Sequence, residues 1–290
     1  MKRRMFLALI ACALLSTGCD NGKKISDPVV ENPTRRALLV GINAYPDAPL
    51  YGCVNDVMDM REELMLYHGF REDEILVIAD GAATTEGIWV GLKWLTAGAK
   101  RGDVRFFHYS GHGVEYVTAD GKLHQCVCPV DFDWSEPRMI MDHQFKTHFE
   151  KMPDDVTFNW LSDSCHSGDL TRGLKKGTSK VYPIVAREML IKIHNAKIKS
   201  RGLVGGILDV GFLSGCQSNQ TSADAFDASQ NRPRGALTWY FLDCQKENRA
   251  LTLEENAMIV RGTLSRDGYE QTPNPEGPQR KFPFLKWKPQ

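Results

Sequence analysis

Short apolar runs alternate along the first part of the chain with longer amphipathic segments. Apolar runs at 36–42, 75–79 and 104–109 predict three strands, and amphipathic segments at 52–67 and 85–95 predict the helices between them. A β-α-β-α-β order requires a parallel sheet with helices on both faces. The pattern therefore predicts an α/β fold with a mostly parallel central sheet.

The later part of the chain continues this alternation with more irregular segments. It predicts strands at 156–163 and 207–213, a hairpin at 114–128, a helical or irregular segment at 139–152, helices at 236–244 and 252–264, and a short closing strand at 282–287. The second of these helices opens with the capping box Thr252-x-x-Glu255. The connection 171–206 is long, basic and loop-rich.

Two of the predicted strands end abruptly in small residues, with a reactive side chain just beyond each end. His112 lies between two glycines after the run 104–109, and Cys165 follows the run 156–163. A single cysteine is most often a small buried hydrophobe. Because the carboxyl ends of parallel strands meet at one edge of a sheet, the two together predict a thiol–imidazole pair.

The chemistry of peptide hydrolysis assigns a role to each of these groups. The thiolate of Cys165 would be the nucleophile, and His112 would accept its proton and return one to the leaving amine. The backbone N–H groups of Gly113 and Cys165 are the predicted oxyanion donors. His166 is the alternative base, although adjacent side chains that leave a strand usually point apart.

Motifs around these residues resemble those of the metacaspases, which are caspase-like cysteine peptidases. The resemblance rests on Tyr109-Ser110-Gly111-His112-Gly113, Asp163-Ser164-Cys165-His166-Ser167-Gly168, Ala37-Leu38-Leu39-Val40-Gly41-Ile42-Asn43, Gly52-Cys53-Val54-Asn55-Asp56, Pro129-Val130-Asp131, Ser214-Gly215-Cys216, Thr221-Ser222-Ala223-Asp224-Ala225 and Gly268-Tyr269-Glu270-Gln271-Thr272-Pro273. These motifs occur in the same order as in the family. The separation of 53 residues between the histidine and the cysteine is also close to the roughly 50 residues found in caspases.

This resemblance implies a fold and an activity for the chain. It extends from about Arg36 to Pro275 and implies a caspase-like three-layer sandwich, which we assign to one domain at 35–290. The implied activity is that of a cysteine endopeptidase, in which a Cys165/His112 dyad forms a thioester acyl-enzyme. Two alternatives remain open: a catalytically silent binding or signalling module, and a different cysteine hydrolase or transpeptidase on a related fold.

A specificity pocket is implied by four further residues. Asp163 and Ser110 lie two residues before the reactive thiol and imidazole, and strand alternation places each on the same side as its reactive neighbour. In metacaspases the residues that match these two, together with those that match Cys53 and Asp56, line a pocket for Arg or Lys. Carboxylates pair with such cations through charge-assisted hydrogen bonds. Cleavage after Arg or Lys is expected, unless Asp163 only holds its loop through backbone hydrogen bonds.

The chain departs from the family at the calcium site. Many metacaspases hold calcium with several aspartates, and the matching positions here are His124, Asp142, His143 and Arg172, with Asp169 as a substitute for the last. Calcium prefers hard, mostly anionic oxygen ligands. Since only one of the four positions is a carboxylate, we predict no calcium requirement, and we assign no metal ligand and no cofactor.

The N-terminal residues 1–18 are predicted to be an export leader of the lipoprotein type. They combine a positively charged start with an apolar run of about ten residues, which is too short to span a bilayer comfortably. Small residues before Cys19 resemble the lipobox of bacterial lipoproteins, in which this cysteine becomes lipidated. An ordinary cleaved leader or an uncleaved anchor is the alternative.

The segment after the leader completes this prediction. Asp20 resembles the inner-membrane retention signal of Gram-negative lipoproteins, and the polar segment 19–34 is predicted to be a tether. We therefore expect an exported lipoprotein that is anchored at the periplasmic face of the inner membrane.

Charge and cysteine content narrow the range of partners. The 36 basic and 36 acidic side chains balance, so nucleic acid is not an expected partner. The expected partners are polypeptide substrates.

The positions of the eight cysteines do not suggest a disulfide framework, and Cys126-x-Cys128 is too tight for a zinc half-site. Because a catalytic thiol must stay reduced, we expect the other cysteines to be buried and apart from Cys165.

The basic connection 171–206 raises a second hypothesis. An enzyme that cuts after Lys or Arg could cut its own chain there, because the segment contains nine such residues, among them Lys175, Lys176, Lys180, Arg187, Lys197, Lys199 and Arg201. The alternative is a solvated basic loop.

Overall fold

Residues 34–165, 178–180, 182, 210–216, 220 and 222–286 are described by the structure, which is a computed structural model. Their elements are β1 (Arg35–Gly41), α1 (Cys53–Tyr67), β2 (Ile75–Ala79), α2 (Thr85–Thr96), β3 (Val104–Ser110), β4 (Gly113–Val117), β5 (Leu123–Val127), β6 (Ile140–Met141), α3 (Asp142–Phe149), β7 (Thr157–Asp163), β8 (Thr178–Ser179), β9 (Gly211–Ser214), β10 (Ala223–Asp227), β11 (Arg232–Gly235), α4 (Ala236–Glu247), α5 (Leu253–Arg266) and β12 (Asn274–Glu276).

The central sheet has six strands in the order β12-β9-β7-β3-β1-β2. All neighbouring pairs are parallel except β12 with β9, at one edge. The inner strands are near-continuous apolar runs, as expected for strands that are covered on both faces. All seven residues of β7 are buried, so this strand lies within the packed interior.

Helices cover both faces of the central sheet, and strand alternation separates the two cores. On β1, Leu38 and Val40 pack with α2 and α3, whereas Ala37 and Leu39 pack with α1, α4 and α5. The three layers of this arrangement confirm the predicted α/β sandwich with a mostly parallel sheet.

Two small sheets lie beside the central one. The predicted hairpin at 114–128 is confirmed as β4 and β5, and β6 pairs with β5 to complete the first small sheet. The second small sheet has the order β11-β10-β8 and was not predicted, because its strands contain proline and charged residues and show no strict alternation. It matters for function, because it brings residues 178–179 against β10.

Most predicted bounds agree closely with the observed elements, and the helix caps are in place. The hydroxyl of Thr84 accepts a hydrogen bond from the backbone N–H of Gly87 at 3.0 Å, which caps α2. The capping box of Thr252 and Glu255 at the start of α5 is confirmed. The segment 139–152, expected to be helical or irregular, contains the short strand β6 followed by α3.

The predicted closing strand at 282–287 is wrong. Pro283 forms only a single β-bridge with Thr252, and the edge strand is β12 instead. Leu285 adopts a positive φ of 59°, and its backbone N–H donates to the Asn159 side chain at 2.7 Å. With Phe284 buried in the core, this segment closes the fold as a turn. Of the strand predicted at 207–213, residues 210–213 are described, and the observed strand is β9, Gly211–Ser214.

The leader at 1–18, Cys19 and the tether as far as residue 33 lie outside the described residues. Within the part of the chain that the structure describes, no helix is both long enough and apolar enough to cross a membrane.

Candidate active site

The reactive residues predicted at two strand ends lie beyond neighbouring strands of the central sheet. β3 and β7 are parallel partners, and Ser110 pairs with Asp163 at their carboxyl ends. His112 and Cys165 each follow this pair by two residues, so both lie at the same edge of the sheet. The turn after β3 is joined to the end of β7 by a hydrogen bond from the Gly111 N–H to the Asp163 carbonyl at 3.4 Å.

Two buried tyrosines hold the backbone of His112. The Tyr109 hydroxyl donates to the His112 carbonyl at 2.7 Å, and the His112 N–H donates to the Tyr45 hydroxyl at 3.0 Å. A Cβ at position 111 would lie 2.7 Å and 2.8 Å from these hydroxyl oxygens. Gly111 is therefore required by the close approach of the two tyrosines, a constraint that sequence reasoning did not identify.

The imidazole of His112 is held in the tautomer that a general base needs. Its Nε2 lies 2.7 Å from the carbonyl oxygen of Ala48; since a carbonyl only accepts, Nε2 carries the proton. Nδ1 keeps the lone pair, and it is buried without a hydrogen-bond partner among the described residues. Burial lowers the pKa of His112 to about 4, against opposing effects of the backbone at Ala48 and Lys180. The ring is therefore neutral near pH 7.

The thiol of Cys165 is fully buried and faces the backbone of Ser222. Its Sγ accepts a hydrogen bond from the Ser222 N–H and lies 3.2 Å from the Ser222 carbonyl oxygen. Burial, followed by the neighbouring Cys216, raises the thiol pKa well above its usual value. In the described geometry Cys165 and His112 share no hydrogen bond, so the resting pair consists of a neutral thiol and a neutral imidazole.

The cysteines outside the site only partly follow the expectation. Those within the described residues are free and buried, which agrees with the prediction. Cys216, however, packs directly against Cys165, so the expected separation from the reactive thiol is wrong for this residue. The two cysteines meet because β9, which ends two residues before Cys216, is the parallel neighbour of β7.

Three of the four predicted pocket residues contact a cation that the chain itself supplies. The ammonium of Lys180 lies 2.9 Å from the Ser110 hydroxyl, 3.4 Å from Asp56 Oδ2 and 3.2 Å from Asp163 Oδ1. The Ser110 hydroxyl in turn donates to Asp56 Oδ2 at 2.6 Å. Both carboxylates and Lys180 are completely buried, so this is an ion cluster inside the protein.

Hydrogen bonds make the two carboxylates of the pocket unequal. Asp163 accepts from the Ser222 hydroxyl and from both the backbone N–H and the hydroxyl of Thr238 at 2.8–2.9 Å. Burial alone would raise its pKa, but Lys180 and these donors lower it below the usual value. Asp56 has fewer donors, and burial, partly offset by Lys180, raises its pKa to about 7. Asp163 is therefore the firmly ionised member.

Gly235 closes the floor of the pocket, and sequence reasoning missed it. A Cβ at this position would lie 2.3 Å from Asp163 Oδ2, 2.3 Å from Asp56 Oδ2 and 2.4 Å from the Lys180 nitrogen. Only glycine leaves room for the ion cluster. Its backbone N–H also donates to Asp56 Oδ1 at 2.7 Å.

Asp224 holds the start of α1, which carries the other two predicted pocket residues. Its carboxylate accepts from the backbone N–H groups of Tyr51 and Gly52 at 2.7 Å and 2.9 Å. Cys53, the first residue of α1, is buried beside the pocket. Burial raises the pKa of its thiol, although Lys180 opposes this. Cys53 therefore lies beside the pocket as an uncharged thiol.

The backbone around Lys180 is bound in the manner of an extended peptide. Ser179 pairs with Ala223 in the antiparallel contact between β8 and β10. The Lys180 N–H donates to the Ser222 carbonyl at 3.1 Å, and its carbonyl accepts from the Gly113 N–H at 3.0 Å. The predicted oxyanion donor Gly113 therefore already binds a carbonyl, and that carbonyl belongs to the residue in the acidic pocket.

Past Lys180 the chain stays on the same side of the site. The Tyr182 N–H donates to the Gly113 carbonyl at 3.3 Å, and the Tyr182 ring lies edge-on to His112 with centroids 5.3 Å apart. Residues 171–177, 181 and 183–206 of the basic connection lie outside the described residues, as does the alternative base His166.

The positions that match the family's calcium site are partly described. His124, Asp142 and His143 come together, with one ligand atom from each within 4.8 Å of the others; Arg172 and Asp169 lie outside the described residues. Two imidazoles and one carboxylate do not fit calcium, which takes about six to eight oxygen ligands.

Comparisons with known proteins identify the family of the chain. A family model described as "Metacaspase, peptidase C14 domain" matches residues 35–172. Metacaspase-2 of Trypanosoma brucei brucei is 33% identical over 258 residues, which cover 83% of this chain and 72% of that protein. Metacaspase-3 of the same organism is 31% identical over 286 residues, 91% of this chain and 77% of that protein.

A solved structure shares the fold. The crystal structure of protein GSU0716 from Geobacter sulfurreducens matches with a TM-score of 0.62 at 23% identity and covers 84% of this chain and 93% of that one. Together with the two trypanosomal relatives and the matched peptidase domain, the sequence and fold show that the chain belongs to the metacaspase family of cysteine-type peptidases.

Proposed function

We propose that the protein is a cysteine endopeptidase that cleaves after Lys or Arg, with Cys165 as nucleophile and His112 as base, and without a calcium requirement. The observation that carries this proposal is the way in which the site holds the side chain and the carbonyl of Lys180. Its ammonium lies between the carboxylates of Asp56 and Asp163 while its carbonyl accepts from Gly113. A substrate lysine bound in this way would present its carbonyl to the edge where both reactive residues lie.

The pocket favours a cation for an electrostatic reason. Burying two carboxylates without a positive partner is costly, and removing one partner of a buried pair costs about 3–5 kcal/mol. Asp56 already shows this cost, because its pKa is raised to about 7 by burial even with Lys180 present. A Lys or Arg side chain relieves the repulsion, whereas a substrate aspartate would add to it.

The proposed reaction starts from the neutral pair. Nδ1 of His112 would accept the thiol proton as Sγ of Cys165 attacks the substrate carbonyl carbon, and the oxyanion would be stabilised by the Gly113 N–H. The imidazolium would then protonate the leaving amine, and the C–N bond would break to give a thioester. Water, deprotonated by His112, would attack the thioester and release the acid and the thiol. The Cys165 N–H is the proposed second oxyanion donor.

Burial of both groups links proton transfer to substrate binding. The thiol pKa is raised and the imidazole pKa is lowered, so an ion pair at rest is disfavoured. Before attack, Sγ must turn from the Ser222 backbone toward the bound carbonyl. The Lys180 N–H and Sγ both contact the same Ser222 carbonyl. The thiol therefore lies next to the bound segment, and Sγ has to move only a short distance.

The same geometry supports the proposal that the chain cuts itself after Lys180. A cut at the bond between Lys180 and Val181 would follow directly from the bound pose of this segment. While Lys180 fills the pocket, a second Lys or Arg cannot enter it. Self-cleavage would therefore release the pocket for other polypeptide substrates.

We also propose that the protein is exported and held at the periplasmic face of the inner membrane through lipid on Cys19. The support for this proposal is the leader sequence with its lipobox-like end and the following Asp20.

Cysteine and histidine variants test the proposed peptidase directly. Full-length protein in detergent is expected to hydrolyse fluorogenic peptides that end in Arg or Lys, and not those that end in Asp, with chelator or with calcium present. Cys165→Ala and His112→Ala are each expected to lower kcat/KM by roughly a thousandfold or more. Cys244→Ser, which changes a buried thiol of α4 far along the chain, is the matched control and is expected to keep activity.

Three results would contradict this account. They are cleavage after Asp alone, undiminished cleavage by Cys165→Ala, and turnover that appears only with calcium. Absence of cleavage by folded protein whose 171–206 connection is already cut would favour a catalytically silent binding module.

A glycine variant tests the shape of the pocket. Gly235→Ala would place a methyl group within 2.4 Å of both carboxylates and the bound nitrogen, so hydrolysis of Arg and Lys peptides is expected to fall by about a hundredfold. Gly262→Ala is the control, because nothing lies within 4 Å of its added Cβ. Melting temperatures of both variants separate loss of the pocket from loss of the fold; equal activities in folded variants would count against this pocket.

Mass spectrometry tests the proposed self-cleavage. Purified wild type is expected to contain a cut after Lys180, and Cys165→Ala is expected to stay intact there. Lys180→Ala should lose this cut because the pocket lacks its cation, whereas Lys180→Arg should keep it. Lys176→Ala, in the same basic connection, serves as the control. An intact connection in both wild type and Cys165→Ala would mean that the chain does not process itself.

A further inference from the structure

A cluster of three potential metal ligands lies at the start of α3, apart from the acidic pocket. His124 comes from β5, and Asp142 and His143 are the first two residues of α3. The Nδ1 atoms of the two histidines lie 3.3 Å apart. Nδ1 of His124 lies 2.6 Å from Asp142 Oδ1, and Nδ1 of His143 lies 3.7 Å from the same oxygen.

Ordinary two-centre hydrogen bonds cannot satisfy all of these contacts. Nδ1 of His124 has either one proton or one lone pair in the ring plane, yet it faces both Asp142 Oδ1 and Nδ1 of His143. If it donates to the carboxylate, it has no lone pair for the second histidine. If it accepts from that histidine, its contact with the carboxylate lacks a proton. A cation shared by the three atoms would satisfy all of them at once.

The spacing suits a small tetrahedral ion. Zinc bonds to histidine nitrogen and carboxylate oxygen at about 2.0–2.2 Å, which separates neighbouring ligand atoms of a tetrahedron by roughly 3.3–3.6 Å. The separations of 3.3 and 3.7 Å lie at or near this range, and the separation of 2.6 Å between His124 and Asp142 is shorter and would have to lengthen on binding. Because His143 is 53% exposed, solvent can reach the remaining coordination position.

We infer that His124, Asp142 and His143 bind a divalent transition metal ion of the zinc class. Imidazole nitrogens select such metals, whereas calcium and magnesium prefer oxygen ligands. The carboxylate supplies one negative charge, and its Oδ1 also accepts from the His143 backbone N–H at 2.7 Å. This bond orients the Asp142 carboxylate toward the two rings.

The position of the cluster indicates a structural role for the ion. It would join β5 to the first turn of α3, next to the pairing of Cys126 with Met141 between β5 and β6. β5 also pairs with β4, where Val127 lies opposite Gly113. A metal here would therefore brace the small sheet that carries the proposed oxyanion donor.

Metal binding by the full chain tests this inference without reference to activity. In a Cys165→Ala background, which removes the reactive thiol as a ligand, metal-free protein is titrated with Zn²⁺ by calorimetry and with Co²⁺ by visible absorption. Zn²⁺ is expected to bind at one equivalent and to raise the melting temperature. Bound Co²⁺ is expected to show its visible bands without a sulfur charge-transfer band. Ca²⁺ and Mg²⁺ are expected not to compete.

Variants assign the binding to the three side chains. His124→Ala and His143→Ala are each expected to weaken Zn²⁺ binding by more than about tenfold. His148→Gln is the matched control, because its ring lies on the same helix but contacts Thr96 and Leu92. His143 is half exposed, so this variant stays informative if His124→Ala fails to fold. Absence of Zn²⁺ binding, unchanged affinity in His143→Ala, or displacement of Zn²⁺ by Ca²⁺ would overturn the inference.

Discussion

The buried ion cluster of Asp56, Asp163 and Lys180 is the interaction on which the rest of the site depends. Charged groups are costly in a protein interior, and such a cluster persists only where its members are paired and hydrogen-bonded. Here the donors come from β3, α4, the hydroxyl of Ser222 and the backbone of the glycine at the end of β11. The ion cluster therefore joins the elements that form the pocket.

The central sheet places the proposed reactive pair, His112 and Cys165, beside this ion cluster. Because β3 and β7 are parallel partners, the residues that satisfy the ion cluster are followed, two positions later, by the imidazole and the thiol. Both reactive groups are buried and neutral, with Nδ1 of His112 free to accept a proton. A carbonyl held by Gly113 beside them completes the proposed arrangement for acyl transfer. The pocket and the proposed reactive pair are therefore positioned by one pair of strands.

Local signals were sufficient to predict the parallel strands of the central sheet, the helix caps and the strand ends that carry His112 and Cys165. The resemblance to metacaspases placed Cys53, Asp56, Ser110 and Asp163 in one pocket, and the structure brings these four together. Lys180 could be named only as one of nine basic residues in its connection. Nothing local distinguishes it, because its role depends on charges brought from α1 and β7.

The residues that sequence reasoning missed were missed for a common physical reason. Ser222 contacts Cys165 through its backbone and Asp163 through its hydroxyl, and Gly235 acts through the absence of a side chain. None of these features produces a pattern along the chain. Their hairpin, β10 and β11, is short and rich in charge, so it lacks the alternation that identifies a strand. The histidine pair with Asp142 was noted only as a departure from an aspartate site. Its spacing as a ligand set became visible once β5 and α3 were brought together.

A comparison of two peptides tests most directly the central claim that a buried pair of carboxylates selects a cation. The peptides differ only in arginine or citrulline before the scissile bond, which keeps the size and shape of the side chain but removes its charge. The account predicts that kcat/KM is higher for arginine by about a hundredfold or more, because citrulline leaves the carboxylates without a positive partner. Equal values for the two peptides, from enzyme that depends on Cys165, would contradict it.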